Sequence, residues 1–254
     1  NPKRLREFDG RCLWLRHIKK RVNKMDINII YSDKSIAVAE KPSGVPSQPD
    51  KTGDMDMLTA VGERFGYAGL IHRLDRPVAG LMVFALNKGA EKFVSEQMSG
   101  GGFGKNYAAV CCGVPKSEEG ELRDWLVKNQ RLNISSVSNR GDKNAKEAIL
   151  RYRLMETVED GKFGELSLLD IKLLTGRHHQ IRVQTANAGM PLWGDTKYNL
   201  EFKRGYYNIF PALYSRRLEF VHPDTKKVVV FEKFPEYAPF TLFTKSLHNF
   251  LKNF

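Results

Sequence analysis

The sequence is poor in cysteine and has no long apolar run, and each shortage excludes a class of protein. Its 254 residues include only three cysteines, Cys12, Cys111 and Cys112. Because two are adjacent and the total is odd, no disulfide framework is indicated, and without a Cys-x-x-Cys spacing a zinc ribbon is not expected. We therefore expect a reducing compartment. No apolar stretch is long enough to cross a bilayer, so we expect no membrane partner.

Acidic residues are also in short supply. Lysine and arginine total 41 against 29 aspartates and glutamates, for a net charge of +12. Such a basic chain usually binds a polyanion, most often nucleic acid, although lysines also serve solubility alone. Residues 1–24 carry nine basic and two acidic side chains. This composition fits an organelle transit remnant, an RNA-binding arm or a solvated tail. The compartment stays open between an organelle, with the mitochondrial matrix slightly favoured, and the cytoplasm.

Two segments concentrate chemically active side chains. Residues 71–81 place Asp75 between two arginines and beside His72, and residues 175–182 read Thr-Gly-Arg-His-His-Gln-Ile-Arg. Nearby positive charge favours the carboxylate form, so we expect Asp75 to be firmly ionised. An isolated cluster of this kind is more often a structural ion pair. Two of them in one basic chain favour a functional site.

Apolar periodicity indicates more strand than helix. Short helices are predicted at residues 57–65, 90–98 and 181–188, an exposed hairpin or loop at 129–146, and strands over most of the remainder. No regular alternation of strand and helix occurs, which favours an α+β fold with a largely antiparallel sheet. We expect a basic extension at residues 1–26, one domain at 27–239, and an amphipathic helix at 240–254 packed on that domain.

Several segments resemble the RluA-type pseudouridine synthases, a family of RNA-modifying enzymes. His72-Arg73-Leu74-Asp75 with Gly80 is similar to the family's catalytic motif, and residues 175–182 resemble its second signature. Other segments with the family's pattern follow in the family's order: residues 40–44, 105–110, 194–198, 213–215 and 218–223. The resemblance covers about residues 27–235.

The resemblance implies the pseudouridine synthase fold, a long, bent, mixed and mostly antiparallel sheet with a central active-site cleft. It also implies isomerisation of uridine in RNA to pseudouridine, with the base flipped out of its stack and with no metal or organic cofactor. The implied partner is RNA, with a ribosomal subunit or its assembly intermediate as a further candidate. We expect a monomer outside any such assembly.

The same resemblance implies the roles of individual residues. Asp75 would be the nucleophile, or the carboxylate that stabilises or deprotonates a glycal-type intermediate. Arg182 would pair with Asp75, with Arg177 as its rival, while Tyr107 would stack on the uracil and move the final proton. Leu213 would line the uracil pocket. Side chains expected to contact RNA are Lys41, His72, Arg73, Arg76, Lys105, Arg177, His179 and Gln180. A zinc site at His178 and His179 is disfavoured, because adjacent histidines rarely share one metal.

The chain departs from the family's pattern at three places. Val78-Ala79 replaces the usual Thr-Ser of the catalytic loop, so two hydroxyls that could hold the loop are missing. Tyr214-Ser215 replaces His-Ala, and Gln184 stands where His is common. We favour an active enzyme, with rRNA ahead of tRNA as substrate. The alternative is a weakened or inactive RNA-binding scaffold in ribosome assembly. A glycosidase is disfavoured, since the motifs offer only Asp75 and Asp195 as paired acids.

Overall fold

The computed structural model describes residues 25–203 and 209–252. Within them the strands are β1 (Asn28–Ser32), β2 (Ile36–Lys41), β3 (Gly69–Leu70), β4 (Ala79–Ala85), β5 (Gly104–Cys112), β6 (Glu119–Asn129), β7 (Ile134–Ser138), β8 (Lys146–Asp160), β9 (Gly164–Leu173), β10 (Leu213–Val221) and β11 (Val228–Glu232). The helices are α1 (Met57–Phe65), α2 (Lys88–Gly100), α3 (Gln180–Asn187), α4 (Leu200–Lys203) and α5 (Thr244–Lys252). None of these helices is long and apolar enough to cross a membrane.

All of the strands join one mixed sheet. Its main path runs β1-β2-β4-β10-β5-β9-β8-β6-β7, with β11 added to β10 and β3 added to β4. The pairing of β4 with β10 is parallel, and the other pairings are antiparallel. This arrangement confirms the prediction of an α+β fold with a largely antiparallel sheet.

Strand β4 lies at the centre of the core, because apolar side chains on both of its faces pack into core clusters. Met82 and Phe84 point into a cluster that contains α1 residues, whereas Leu81 and Val83 enter a second cluster against α2. A strand buried on both faces is expected to be apolar without alternation, as this one is. The segment that precedes β4 is the loop that carries Asp75, so the rigid strand fixes one end of that loop.

Local capping explains where the two helices beside this core begin and end. The Asp56 carboxylate accepts a hydrogen bond from Thr59 N at the start of α1, and Asn87 caps Ala90 N at the start of α2. The sequence prediction for α2 began at Ala90 and missed this cap. Gly66 and Gly101 end the helices in the left-handed conformation, with φ of 82° and 81°.

The C-terminal segment differs from the single helix predicted for residues 240–254. A 3-10 turn at Phe240–Leu242 precedes α5, which begins at Thr244. Phe240 and Phe243 are both fully buried, and one tight turn directs both rings into the same core cluster. Residues 253–254 lie outside the described residues, as do residues 1–24, so the basic N-terminal extension stays a prediction.

Gly80 permits the parallel contact between β4 and β10. Its φ is +122°, and a Cβ at this position would lie 2.4 Å from Ser215 N and 2.5 Å from Ser215 O. These are backbone atoms of the neighbouring strand, which cannot rotate away. A side chain here would force the two strands apart at the end of the Asp75 loop.

We therefore expect Gly80→Ala to lower the free energy of unfolding by about 3 kcal/mol, through left-handed strain and backbone overlap. Urea denaturation followed by circular dichroism measures this change. Gly141→Ala is the matched control, because a Cβ there meets no atom within 4 Å. Equal stability of the two variants would contradict the proposed close approach.

Candidate active site

A cleft of about 1250 Å³ opens beside the Asp75 loop. The cleft is lined by the Asp75 loop, by the first residues of β5, by the last residues of β9 and by the turn into α3. Its lining contains all but one of the side chains that the sequence analysis singled out: Asp75, Tyr107, Arg182, Leu213, His72, Arg73, Arg76, Lys105, Arg177, His179 and Gln180. The exception is Lys41.

Backbone contacts hold the Asp75 loop. Val78 N donates to Asp75 O at 2.9 Å, and Gly44 N donates to Arg76 O at 2.8 Å. The Ser47 hydroxyl donates to Leu74 O at 2.7 Å and accepts from Leu74 N at 3.1 Å. The side chains of Val78 and Ala79 are buried in core clusters instead. The loop is thus fixed without the two hydroxyls that are usual in the family.

Lys41 was expected to contact RNA, and that prediction is wrong. The side chain is fully buried, and its ammonium donates to three backbone carbonyls, Pro42 O at 2.9 Å, Val45 O at 2.7 Å and Arg76 O at 3.0 Å. Burial lowers the pKa of Lys41 to about 7, although the nearby Asp75 carboxylate opposes this shift. The three hydrogen bonds of Lys41 therefore stabilise the Asp75 loop, and its buried side chain is not available to a phosphate.

A buried guanidinium lies between two carboxylates beside the Asp75 loop. Arg182 in α3 donates from Nε and Nη2 to Asp195 at 2.7 Å and 2.8 Å, a bidentate pair with both side chains buried. The remaining nitrogen, Nη1, lies 3.7 Å from Asp75 Oδ2. Arg177, the rival for this position, is exposed and donates from Nε to Glu147 O at 2.8 Å.

The environment of Asp75 differs from the expectation of a firmly ionised carboxylate. Its side chain is 31% exposed and opens onto the cleft, but the surrounding protein removes enough water to raise its pKa. The buried Asp195 carboxylate adds to the rise, while Arg182, Lys197 and Lys41 oppose it. Counting cations in the sequence therefore gave the wrong direction, because desolvation exceeds their combined attraction.

Apolar side chains form the cleft floor beside Asp75. Tyr107 in β5 and Leu213 in β10 are buried in the same core cluster, which also contains Leu74 and Val78 from the Asp75 loop. Burial and the neighbouring Asp75 charge raise the pKa of the Tyr107 phenol above its ordinary value. The floor can accept a flat apolar surface, and its phenol stays protonated.

Three residues expected to contact RNA are buried and have structural partners. His72 Nε2 accepts from Val83 N at 3.2 Å, and burial together with Lys105 lowers the pKa of His72 to about 3. Gln180 accepts from Arg177 N at 2.9 Å and ties the turn before α3 together. His179 Nε2 faces Asp75 Oδ2 at 3.7 Å. Their burial argues against the phosphate contacts expected of these three side chains.

The exposed cations of the cleft suit the phosphate contacts expected from the sequence. Arg73 and Arg177 are exposed, and Lys105 is half-buried with a pKa lowered by burial. Arg76 is exposed as well and pairs with Asp50 and Asp54, while its Nε donates to Gly44 O at 2.9 Å. The cleft also contains two lysines that the sequence analysis did not single out, Lys128 and Lys172.

Sequence reasoning missed other residues that shape the site. Asp195 was considered only as a possible second acid, yet it holds Arg182 in place. Ser47 was not considered, although its hydroxyl bonds both Leu74 O and Leu74 N. Tyr198 lies between His179 and Ser135. The sequence signal for these residues was Gly194-Asp195 followed by Tyr198. The partners of Asp195 and Tyr198 could not be read from it, because they are brought together only by the tertiary fold.

The chain is similar to known RNA pseudouridine synthases. A family model for RNA pseudouridylate synthase matches residues 35–187. The chain is 32% identical over 219 residues to the tRNA pseudouridine synthase C of Vibrio vulnificus, covering 80% of this chain and 89% of the relative. It is 28% identical over 214 residues to the ribosomal large subunit pseudouridine synthase C of Vibrio cholerae, covering 82% and 65%.

A solved structure has the same fold. Human RNA Pseudouridylate Synthase Domain Containing 1 superimposes with a TM-score of 0.72 at 22% identity, over 90% of this chain and 94% of that one. The chain therefore belongs to the RNA pseudouridylate synthase family, the isomerases that convert uridine in RNA to pseudouridine. The predictions of family, fold and enzyme class are confirmed.

The buried contacts of Lys41 generate a prediction about stability. Lys41→Met keeps the apolar stem but leaves three carbonyls without their donor, so we expect the free energy of unfolding to fall by about 3 kcal/mol. Urea denaturation measures the loss, with Lys34→Met as the control because Lys34 is exposed. A loss no greater than that of the control would mean that the ammonium does not stabilise the loop.

Proposed function

We propose that this protein isomerises one or a few specific uridines of ribosomal RNA, with tRNA as the second candidate substrate. Relatives named for each of these RNA classes resemble the chain. Residues 27–239 form the proposed catalytic domain. The corresponding partner is a ribosomal subunit or an assembly intermediate, and the protein acts as a monomer outside it.

One observation carries the catalytic part of the proposal. The Asp75 carboxylate reaches into a cation-lined cleft, with Arg182 Nη1 3.7 Å away and an apolar floor beside it. A flipped uracil on that floor would bring its glycosidic carbon near the carboxylate, and the exposed arginines and lysines would bind the flanking phosphates. The cleft thus combines a nucleophile, a flat apolar surface and phosphate-binding cations.

In the proposed reaction the bond between N1 of the base and C1′ of the ribose breaks, the base rotates, and a bond forms between C5 and C1′. The proton lost from C5 is balanced by the proton gained at N1, so no oxidant or reductant is needed. Asp75 acts either by adding to C1′ or by removing a proton from the sugar to give a glycal. Arg182 orients the carboxylate and offsets its charge.

Tyr107 and Leu213 contact the base in this scheme. The ring of Tyr107 offers a stacking surface for the base. Leu213, which belongs to the same apolar cluster, contacts the edge of the base. Because the raised pKa keeps the phenol protonated, Tyr107 serves first as a stacking surface. Any removal of the C5 proton by Tyr107 requires a base that first deprotonates its hydroxyl.

A cellular map tests the function and names the substrate. In cells whose only copy carries Asp75→Ala, we expect pseudouridine to disappear at one or a few uridines, because Asp75 is the proposed reacting carboxylate. Transcriptome-wide mapping measures this, with protein levels checked and Asp26→Ala as the control, since Asp26 is exposed. An unchanged pseudouridine map, with growth or ribosome defects only when the whole protein is removed, would contradict the enzymatic proposal. It would favour the alternative of an RNA-binding scaffold in ribosome assembly.

The raised pKa of Asp75 predicts an acid limit to activity. Since the reaction uses the ionised carboxylate, the rate should fall as the pH is lowered through a pKa that lies above the ordinary 3.8. Burial lowers the pKa of His178 to about 4 and that of His179 to about 2, so a limb well above pH 4 belongs to neither ring. Single-turnover rates measure the profile, with circular dichroism excluding unfolding. A midpoint at or below 3.8 would contradict the desolvation of Asp75.

A further inference from the structure

A line of hydrogen bonds leads from the β6–β7 hairpin to the site. Ser135 N in β7 donates to the Tyr198 hydroxyl at 2.7 Å, and the same hydroxyl lies 2.7 Å from His179 Nδ1. The other nitrogen of that ring, His179 Nε2, faces Asp75 Oδ2 at 3.7 Å. One backbone amide and two side chains, Tyr198 and His179, therefore lie between the hairpin and the carboxylate, and the last step is a 3.7 Å contact that is longer than a hydrogen bond.

The contacts of this line favour one arrangement of protons. The Tyr198 oxygen accepts from Ser135 N, and its own proton has His179 Nδ1 within hydrogen-bond distance as an acceptor. His179 then carries its proton on Nε2, where it points at the carboxylate. The opposite tautomer would leave the phenol proton without this acceptor and would direct a nitrogen lone pair at Asp75.

The adjacent histidine attaches the hairpin to this turn. The His178 ring stacks on the His179 ring with centroids 3.8 Å apart. Its Nε2 lies 3.1 Å from Asn133 Oδ1, which can only accept, so Nε2 is protonated and Nδ1 accepts from the Ser135 hydroxyl at 2.9 Å. Burial lowers the pKa of His178 to about 4, so the ring is neutral near neutral pH and both nitrogens have their partners.

Two further observations support an ordered connection between the hairpin and the site. Lys197 Nζ donates to Asn133 O at 2.8 Å, which fixes the hairpin to the turn that carries Tyr198. His179 adopts φ of 55°, the left-handed conformation that a residue with a side chain rarely takes. Such strain persists where the surroundings over-determine it, as the stacked ring and the Tyr198 contact do here.

We propose that Tyr198 is a positioning residue that orients His179 toward Asp75, and that the β6–β7 hairpin, latched by His178, is part of the active site. The proposal rests on the proposed function, because the orientation matters only if Asp75 reacts. It assigns roles to Tyr198 and His178 toward Asp75, in addition to the roles proposed for Arg182 and Tyr107. The hairpin contributes order to the site in addition to any RNA contact.

Tyr198→Phe tests the line by removing one oxygen. The ring that lies 5.1 Å from the Arg182 guanidinium remains, so the fold should persist. We expect the saturating single-turnover rate to fall about tenfold, within the range known for small misplacements. The RNA concentration for half-maximal rate should not change. The acid limb should move to higher pH, because the His179 ring that faces the Asp75 carboxylate at 3.7 Å is no longer held in place. A parent rate and an unmoved limb would overturn the proposal.

A matched pair of variants tests the latch. His178→Gln can still accept from Ser135 and donate to Asn133, whereas His178→Leu fills space without either bond. We expect His178→Gln to retain most of the saturating rate and His178→Leu to lose about as much as Tyr198→Phe. His178→Leu combined with Tyr198→Phe should cost no more than the larger single loss, because both act on one line. Equal losses for His178→Gln and His178→Leu, or multiplied losses in the double variant, would overturn the proposal. Ser117→Ala is the control, because Ser117 is exposed and lies outside the hairpin and the cleft.

Two measurements do not depend on activity. Trypsin should cleave after Arg131 faster in His178→Leu than in the parent or in His178→Gln, since the hairpin tip is released. Nitrogen NMR of labelled histidine should find His179 protonated at Nε2 in the parent and changed in Tyr198→Phe. If the parent forms no pseudouridine, the proposed function fails, but these two measurements still test the further inference. Equal cleavage rates in the parent and His178→Leu would contradict the latch. A parent His179 protonated at Nδ1 would contradict the proposed orientation of this ring.

Discussion

The site depends on a buried ion pair, Arg182 with Asp195. Both side chains are removed from water, so each is tolerable only because the other supplies two well-aligned hydrogen bonds. The pair fixes the plane of the guanidinium and leaves Nη1 directed toward Asp75. If the pair were broken, an uncompensated charge would remain in the wall of the cleft. The same interaction thus stabilises the fold and orients the proposed catalytic carboxylate.

Polar side chains are buried around this pair, at positions that are usually apolar in protein cores. Helix α3 buries Gln180, Arg182, Gln184 and Thr185, each with hydrogen-bond partners. Lys41 does the same behind the Asp75 loop. Such networks are stable only when nearly complete, which makes them rigid. Rigidity suits a reaction in which a base must rotate while the carboxylate keeps its place.

Much of the fold was predictable from the sequence, because its signals are local. The apolar run of β4 and the glycines that end α1 and α2 need no tertiary knowledge. The motifs also indicated that Asp75, Tyr107, Arg182 and Leu213 would share one site, and all four line the cleft. The burial of Lys41 and His72 was not predictable, since a charged or polar residue looks the same in sequence whether it contacts solvent or a buried carbonyl. The raised pKa of Asp75 was missed for a related reason: desolvation is a property of the folded surroundings.

The most direct test of the central claim uses purified protein and RNA from cells that lack it. Pseudouridine formed over time is quantified by mass spectrometry for the parent, for the isosteric Asp75→Asn and for Asp26→Asn as the control. The account predicts conversion by the parent and the control and none above background by Asp75→Asn. Conversion by Asp75→Asn at the parent rate would contradict the assignment of Asp75 as the reacting carboxylate.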